Sequence, residues 1–338
     1  MAGNMSTARQ YPKSSVLSNG KVLITGGYTN GDTYLNSAEL YDPATGTWTV
    51  TGNMSTGRWE HGSSLLQNGK VLVNGGWNGN NYLNSAELYD PATGTWTTAS
   101  SMNIARSQHT STVLSTGNVL VSGGRNSNIY LNSAELYDPA TGTWTTIETM
   151  HIARIKHAAS VLSNGKVLVS GGHHKNIGYL NSAELYDPKT QKWTNAGNMM
   201  TAREDHTSSL LSDGKVLITG GYTNGDTYLN SAELYDPATG TWTVTGNMNT
   251  GRWGHGTSVL LNGKVLVNGG RTGNIYLNSA ELYDPATGTW ATGPSMNIAR
   301  SEHISTILST GNVLVSGGYV GTGYINSAEL YVYEIETS

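Results

Sequence analysis

The chain has 338 residues and contains no cysteine and no phenylalanine. Without cysteine there is no disulfide framework, no zinc–thiolate site, no iron–sulfur cluster and no thiol nucleophile. Charge is also sparse. Asp, Glu, Lys and Arg make up 12% of the residues, and 19 basic against 23 acidic side chains leave a net charge of −4. That balance provides no basic footprint for nucleic acid. No apolar run approaches the roughly 18 residues of a membrane-spanning helix, so no membrane partner is expected. The opening MAGNMSTARQ lacks the apolar core of a signal peptide. The sequons Asn4-Met5-Ser6 and Asn53-Met54-Ser55 are too common a pattern to argue for secretion, and the compartment stays unassigned.

What the chain has in plenty is glycine, 43 residues, together with 19 tyrosines and nine tryptophans, all set in an internal repeat. A Gly-Gly doublet closes an apolar run seven times, at Gly26, Gly75, Gly123, Gly171, Gly220, Gly269 and Gly317, with spacings of 48 or 49. The string SAELY begins at Ser37, Ser85, Ser133, Ser182, Ser231, Ser279 and Ser327. A tryptophan follows at Trp48, Trp96, Trp144, Trp193, Trp242 and Trp290, and is absent from the last copy. Length alone suggests about two domains. The fixed period replaces that expectation with one closed array of seven units, roughly 9–53, 58–101, 106–149, 154–198, 203–247, 252–295 and 300–335.

Each unit reads as strands. In the second, Gly62–Leu66 and Lys70–Asn74 flank Asn68-Gly69, the pair that a type I′ hairpin turn demands. The unbroken VLV run implies burial on both faces. Tyr82–Tyr89 is predicted as a third strand, Asp90–Gly94 as a turn, and Thr95-Trp96-Thr97 as the start of a fourth strand. Four strands whose two faces both need neighbours is the logic of a β-propeller blade. A β-helix or open solenoid is the alternative, but three turn signals in 48 residues fit blades better.

The Gly-Gly doublet, the Tyr of SAELYD and the Trp of GTWT, spaced in this way, resemble the kelch repeat over essentially the whole chain. The resemblance implies an all-β, seven-bladed propeller with four antiparallel strands per blade, lettered a to d outward from a central channel. In the last copy SAELYVYEIETS replaces SAELYDPATGTW. Blade seven is therefore expected to lack its outermost strand and to expose an edge at Glu329–Tyr333. Such an edge invites pairing, so self-association through it is one expectation; a lost N-terminal strand and a truncated chain are others.

The marker residues have structural explanations. The repeated Tyr and Trp are expected to fill the space between blades. Arg9, Arg58, Arg106, Arg154, Arg203, Arg252 and Arg300 form one ring, and Glu39, Glu87, Glu135, Glu184, Glu233, Glu281 and Glu329 another. A buried acid needs a partner, so these rings are expected to satisfy each other or nearby backbone. Three residues after the Arg comes His61, His109, His157, His206, His255 or His303, with Pro12 in the first copy. Across a channel about 10 Å wide, opposite imidazoles cannot share an ion held by bonds of about 2.1 Å, and no metal is expected. Histidine at this step is also common in kelch-like repeats. Galactose oxidase, a kelch-like propeller, needs a Tyr–Cys thioether beside its copper; no cysteine is present, so that cofactor cannot form, and no other is expected. No G-x-S-x-G elbow occurs, and no catalytic residue is assigned.

The copies differ in two segments, after the Gly-Gly doublet and after the Arg. In the four-stranded topology these are the b–c and d–a connections, which emerge on one face around the channel mouth. The three tryptophans outside the markers fall there, as do the only two arginines outside the ring. Tyr11, Tyr28, Trp59, Trp77, Arg125, Lys156, His173, Tyr222, Trp253, Arg271 and Tyr319 are the candidate binding residues. Tyr, Trp and Arg are the types enriched in binding hot spots, and aromatics beside Asn and Asp suit sugar rings. Gly20–Met54 and Gly214–Met248 are identical over 35 residues, four periods apart. Such copies favour a multivalent surface over one asymmetric active site. The expected function is a non-enzymatic scaffold binding a protein or glycan. The alternatives are a hydrolase or isomerase using Glu60, Glu204, Asp205 or Glu302, and a structural or engineered repeat protein without a ligand.

Overall fold

The computed structural model describes residues 2–332. They form an all-β, seven-bladed propeller, with no helix among the described residues. Six blades are four-stranded sheets in sequential antiparallel order. In blade two the strands are Gly62–Leu65, Val71–Asn74, Ala86–Asp90 and Thr95–Ala99. The innermost a strands touch in a closed ring in which the first, Lys13–Val16, meets the last, Ile304–Ile307.

Alternation along strand b explains the unbroken apolar runs. Val71 and Val73 face blade one, packing with Leu17, Leu23, Ala38 and Met54. Leu72 faces blade three, packing with Val119, Val121 and Tyr137. Every blade thus contributes to the two cores on either side of it. The SAELY tyrosines complete these cores, and in the first six blades each packs on the tryptophan of its own blade at ring centroids 5.0–5.1 Å apart. That indole donates to a backbone carbonyl in the chain segment leaving the preceding blade, as in Trp96 Nε1 to Gly52 O at 2.7 Å.

The doublets show why glycine and histidine recur together. Gly75 has φ of +62°, and a Cβ there would lie 2.6 Å from Arg106 O and 2.7 Å from His109 Cε1. The next blade's imidazole thus packs where a side chain would be. Gly75→Ala is expected to destabilise by roughly 2–4 kcal/mol, combining left-handed strain with overpacking. Gly31→Ala, also at positive φ but with nothing within 4 Å, should cost only about 1–2 kcal/mol. Equilibrium urea unfolding of the two variants measures the difference.

Blade seven contains three strands among the described residues, ending at Ala328–Tyr331; Tyr333 of the expected edge lies outside them. Residues 3–5 join it to blade one. Met5 N bonds Asn326 O at 2.9 Å as Met54 N bonds Asn36 O at 2.9 Å, and Met5 is buried.

Two expectations are corrected. The third strand of blade two begins at Ala86, not at Tyr82. Leu83 N bonds Gly76 O (2.9 Å), Gly75 N bonds Ser85 O (3.1 Å), and Asn84 Nδ2 bonds Met102 O (3.1 Å). These bonds pull residues 82–85 out of the ladder. The second correction follows from the first. The tyrosine before Leu-Asn or Ile-Asn leaves the sheet in each copy and does not fill the space between blades. It joins the loop face, half-buried, as Tyr34, Tyr82, Tyr130, Tyr179, Tyr228, Tyr276 and Tyr324.

Candidate functional site

The face begins with the buried ring beneath it. Each marker arginine pairs with the marker glutamate of its own blade at 2.7–2.9 Å, and all seven arginines are fully buried. Arg106 Nη1 donates to Gly123 O and Ser133 O, and Nη2 to Ser133 Oγ and Glu135 Oε1. Glu135 in turn accepts the amides of Asn103 and Ile104. Each pair therefore clamps the d–a segment to strand c and the Gly-Gly corner.

Above this ring, the two variable segments are zipped together in every blade. Antiparallel bridges join Gln10 to Tyr28, Trp59 to Trp77, Ser107 to Arg125, Ile155 to His173, Glu204 to Tyr222, Trp253 to Arg271 and Ser301 to Tyr319. The next residue inward is left-handed in all copies. Tyr11, Glu60, Gln108, Lys156, Asp205, Gly254 and Glu302 have φ of 49–61°. Backbone bonds run blade to blade round this ring, as in Gln108 N to Glu60 O (3.1 Å) and Asp205 N to Lys156 O (3.1 Å). Six of the seven carry a side chain where glycine is favoured, and these side chains surround the channel mouth.

The mouth is a cavity of about 320 Å³ lined by Tyr11, Glu60, Gln108, Lys156 and Asp205, with Lys13 and four of the histidines deeper in. Gln108 Nε2 donates to Glu60 Oε1 at 2.7 Å, while Glu60 Oε2 is buried without a partner. Burial pushes the Glu60 carboxyl up to about 7, against the Gln108 bond that lowers it. Lys156 Nζ holds Asp205 at 2.8 Å and Glu204 at 3.5 Å. Burial opposes the charge on Lys156, but the two acids outweigh it and hold its pKa above the ordinary value. Burial also raises Glu204, and it raises Glu302 against bonds from Gln10 and Tyr11.

The eleven candidate residues gather into three aromatic groups on this face. Tyr11, Tyr28 and Trp59 join Tyr319 through Tyr34 and Tyr324, at centroid distances of 5.1–6.4 Å. His173 joins Tyr222 and Trp253 through Tyr179, with Arg271 4.3 Å and Lys156 5.8 Å from the Trp253 centroid. Trp77 packs on Tyr82, over which Arg125 lies at 5.6 Å. Trp59, Trp77 and Trp253 are half-buried by these stacks and not freely exposed. The seven bridging tyrosines were missed because they look like invariant markers. Their position beside the variable loop was the available signal. His174, the residue after His173, accepts the amides of Asn176 and Ile177 and so caps its own hairpin.

The histidine ring is committed to packing. Nε2 of His61 bonds Thr25, that of His109 bonds Asn74, and that of His303 bonds Asn268, at 2.7–3.1 Å. The Thr and Ser partners of His157, His206 and His255 lie at 3.1–3.4 Å. Among the described residues no three His, Asp or Glu side chains converge as metal ligands.

The KLHDC2/KLHL20/DRC7 Kelch-repeats domain matches twice, over residues 1–172 and 156–338. The chain belongs to the Kelch-repeat family. No curated protein matches it. Among solved structures, this Kelch chain is similar to a fungal alcohol oxidase of the AA5 family in complex with copper. The TM-score is 0.77 at 20% identity, covering 98% of this chain and 76% of the other. That likeness is one of fold. A copper site does not fit the described residues of this Kelch propeller, among which no three His, Asp or Glu side chains converge on one point.

Proposed function

We propose that the chain is a non-enzymatic binding scaffold whose loop face, around the channel mouth, docks a protein or glycan. The Kelch propeller fold is consistent with an interaction scaffold. One observation carries the reading for this face. Six non-glycine side chains are held in left-handed backbone, at about 1–2 kcal/mol each, at a step where Gly254 shows that glycine serves the fold. Retaining Tyr11, Glu60, Gln108, Lys156, Asp205 and Glu302 at that cost is accounted for by a ligand at the mouth. The test is Tyr222→Ala with Trp253→Ala, compared with Gln67→Ala on the a–b turn of the opposite face. Binding to glycan arrays and displayed proteins should drop about 100-fold in the first, in keeping with loss of two hot-spot aromatics, and persist in the second. Equal binding by all three forms would sink the reading. Circular dichroism controls for folding, because the stacks are half-buried.

A second reading, hydrolase or isomerase, is favoured by Glu60 alone. Its carboxyl lines the mouth cavity and is pushed up to about 7, and one of its oxygens is buried without a partner, as suits a carboxyl that keeps its proton. It requires a turnover that disappears in Glu60→Gln while ligand binding survives. Turnover that survives in Glu60→Gln rules it out.

A further inference from the structure

Two clusters on the loop face are built from the same residues, four repeats apart. Tyr28, Asp32, Tyr34 and Trp59 recur as Tyr222, Asp226, Tyr228 and Trp253. In both, the first tyrosine donates its hydroxyl to the aspartate. Its ring lies 6.1 Å from the indole in one cluster and 6.5 Å in the other. The clusters differ at the residue bridged to the tryptophan. In the second it is Arg271, whose guanidinium rests on the Trp253 indole at 4.3 Å. In the first it is Trp77, whose ring packs on Tyr82 at 4.5 Å. Tyr11 and Tyr34 edge the Trp59 indole at 5.9 and 6.4 Å, so four rings meet there. Among the described residues no cation stands over any of them.

The charge around this first cluster is negative. Tyr28 donates to Asp32 and Tyr11 to Glu302, but a neutral donor leaves the carboxylate its charge. Burial raises the Tyr11 pKa, and the charges that raise it further are all acids, Glu302, Asp205 and Glu60. The cations of the face belong to other blades and are engaged there. Arg125 lies over Tyr82, Lys156 holds Asp205, Lys175 donates to Asn128 O and Arg271 covers Trp253. Arg125 and Lys156 act on Glu60, and Arg271 on Glu302, only across space and without an ion pair among the described residues.

We infer that the Trp59 cluster takes an arginine or lysine side chain from a basic segment of a partner protein. The inference rests on the loop-face binding reading and specifies its partner. The molecule carries a version of this contact within itself: where the repeat keeps an arginine, the guanidinium seats on the equivalent indole. Aromatic rings bordered by carboxylates attract a cation, and the same carboxylates oppose an acidic partner. A small free amine would use the cluster alone. Ile129, Ile177 and Ile275 stand 64–66% exposed on hairpins of the same face, which suits the apolar contacts of a protein.

Calorimetry of the full chain with hexa-arginine, hexaglutamate and maltohexaose tests this. Hexa-arginine should bind, and bind more weakly as salt rises. Trp59→Leu and Trp77→Arg should each lower its affinity about tenfold. The first removes the indole, and the second supplies from within the cation that blade six already has. Asp32→Asn, which keeps a residue suited to left-handed backbone, should lower it about threefold. Gln67→Ala should bind as the parent does. Should Trp59→Leu fail to fold by circular dichroism, Trp77→Arg decides, because Arg271 shows that the repeat accepts arginine there. An affinity unchanged in Trp77→Arg would mean diffuse attraction to an acidic surface and overturns the inference. Binding of hexaglutamate or maltohexaose in place of hexa-arginine overturns it as well, and leaves the loop face standing. Failure of all three probes also overturns it, and the array and display experiment judges the loop face separately.

Discussion

Arg106→Met is expected to destabilise the propeller by about 3–5 kcal/mol, a large share of the roughly 5–15 kcal/mol available to a folded domain. Arg106 and Glu135 are both fully buried, 2.8 Å apart. Removing the arginine leaves a carboxylate out of water with only the amides of Asn103 and Ile104 for company. It also strips two carbonyls, Gly123 O and Ser133 O, of a donor. Glu135→Met should cost a similar amount by stranding the guanidinium. The double variant Arg106→Met/Glu135→Met takes the guanidinium from Gly123 O and the carboxylate from the amides of Asn103 and Ile104, but it strands no buried charge. It should therefore be less destabilised than the sum, with a coupling of about 2 kcal/mol or more. Urea unfolding of the three variants measures this. A coupling near zero would mean that the ring consists of independent backbone clamps and not of ion pairs. Arg106→Lys should fail as well, because an ammonium cannot span the four acceptors that the guanidinium fork reaches.

Much of this architecture was legible because seven copies repeat each signal. Strand b is readable from VLV alone, a local requirement of burial. Asn68-Gly69 marks the place of the turn but not its type: only Gly69 has positive φ, and its amide bonds Leu66 O at 2.9 Å, so the turn is not the expected type I′. The zipped face was partly legible: variable segments carrying Trp59, Trp77, Trp253, Arg125 and Arg271 pointed to it. Tyr34 and its six equivalents were not, because repetition in sequence marks a shared backbone environment without saying whether that environment faces core or solvent. The left-handed ring was illegible for a related reason. Glu60, Gln108 and Lys156 carry no conformational signature of their own, and only Gly254 at the same step hints at positive φ. Two cavities of the face share Arg271, one lined from blades four to six and the other from blades six, seven and one; how those side chains meet is something no single repeat encodes.

Acid should destabilise the propeller through its buried histidines. His61, His109, His157, His206, His255 and His303 are all buried, and burial lowers every one of their pKa values, helped in each case by a nearby arginine. For His157 and His255 the value falls to about 3. A folded pKa below the unfolded value of about 6.5 means the unfolded chain binds the proton first. Stability is then whole above about pH 6.5 and falls with pH, by about 1.4 kcal/mol per unit for each histidine, until the folded pKa is reached. At pH 4.5 His157 and His255 together remove about 5 kcal/mol, before the other four are counted. Glu60, Glu204 and Glu302 work the other way. Their raised pKa values make stability decline as pH rises above about 4.5, for Glu60 up to about 7, but they are three groups against six. Glu184, lowered by His151 and Arg154 against its own burial, loses its contribution below about pH 4.5, outside this window. Urea midpoints between pH 7 and 4.5 should therefore fall with a slope of more than two protons. His157→Gln with His255→Gln should flatten that slope by about two. A midpoint unchanged over this range, or a slope indifferent to the substitutions, would show that the ring histidines protonate while the fold stays intact.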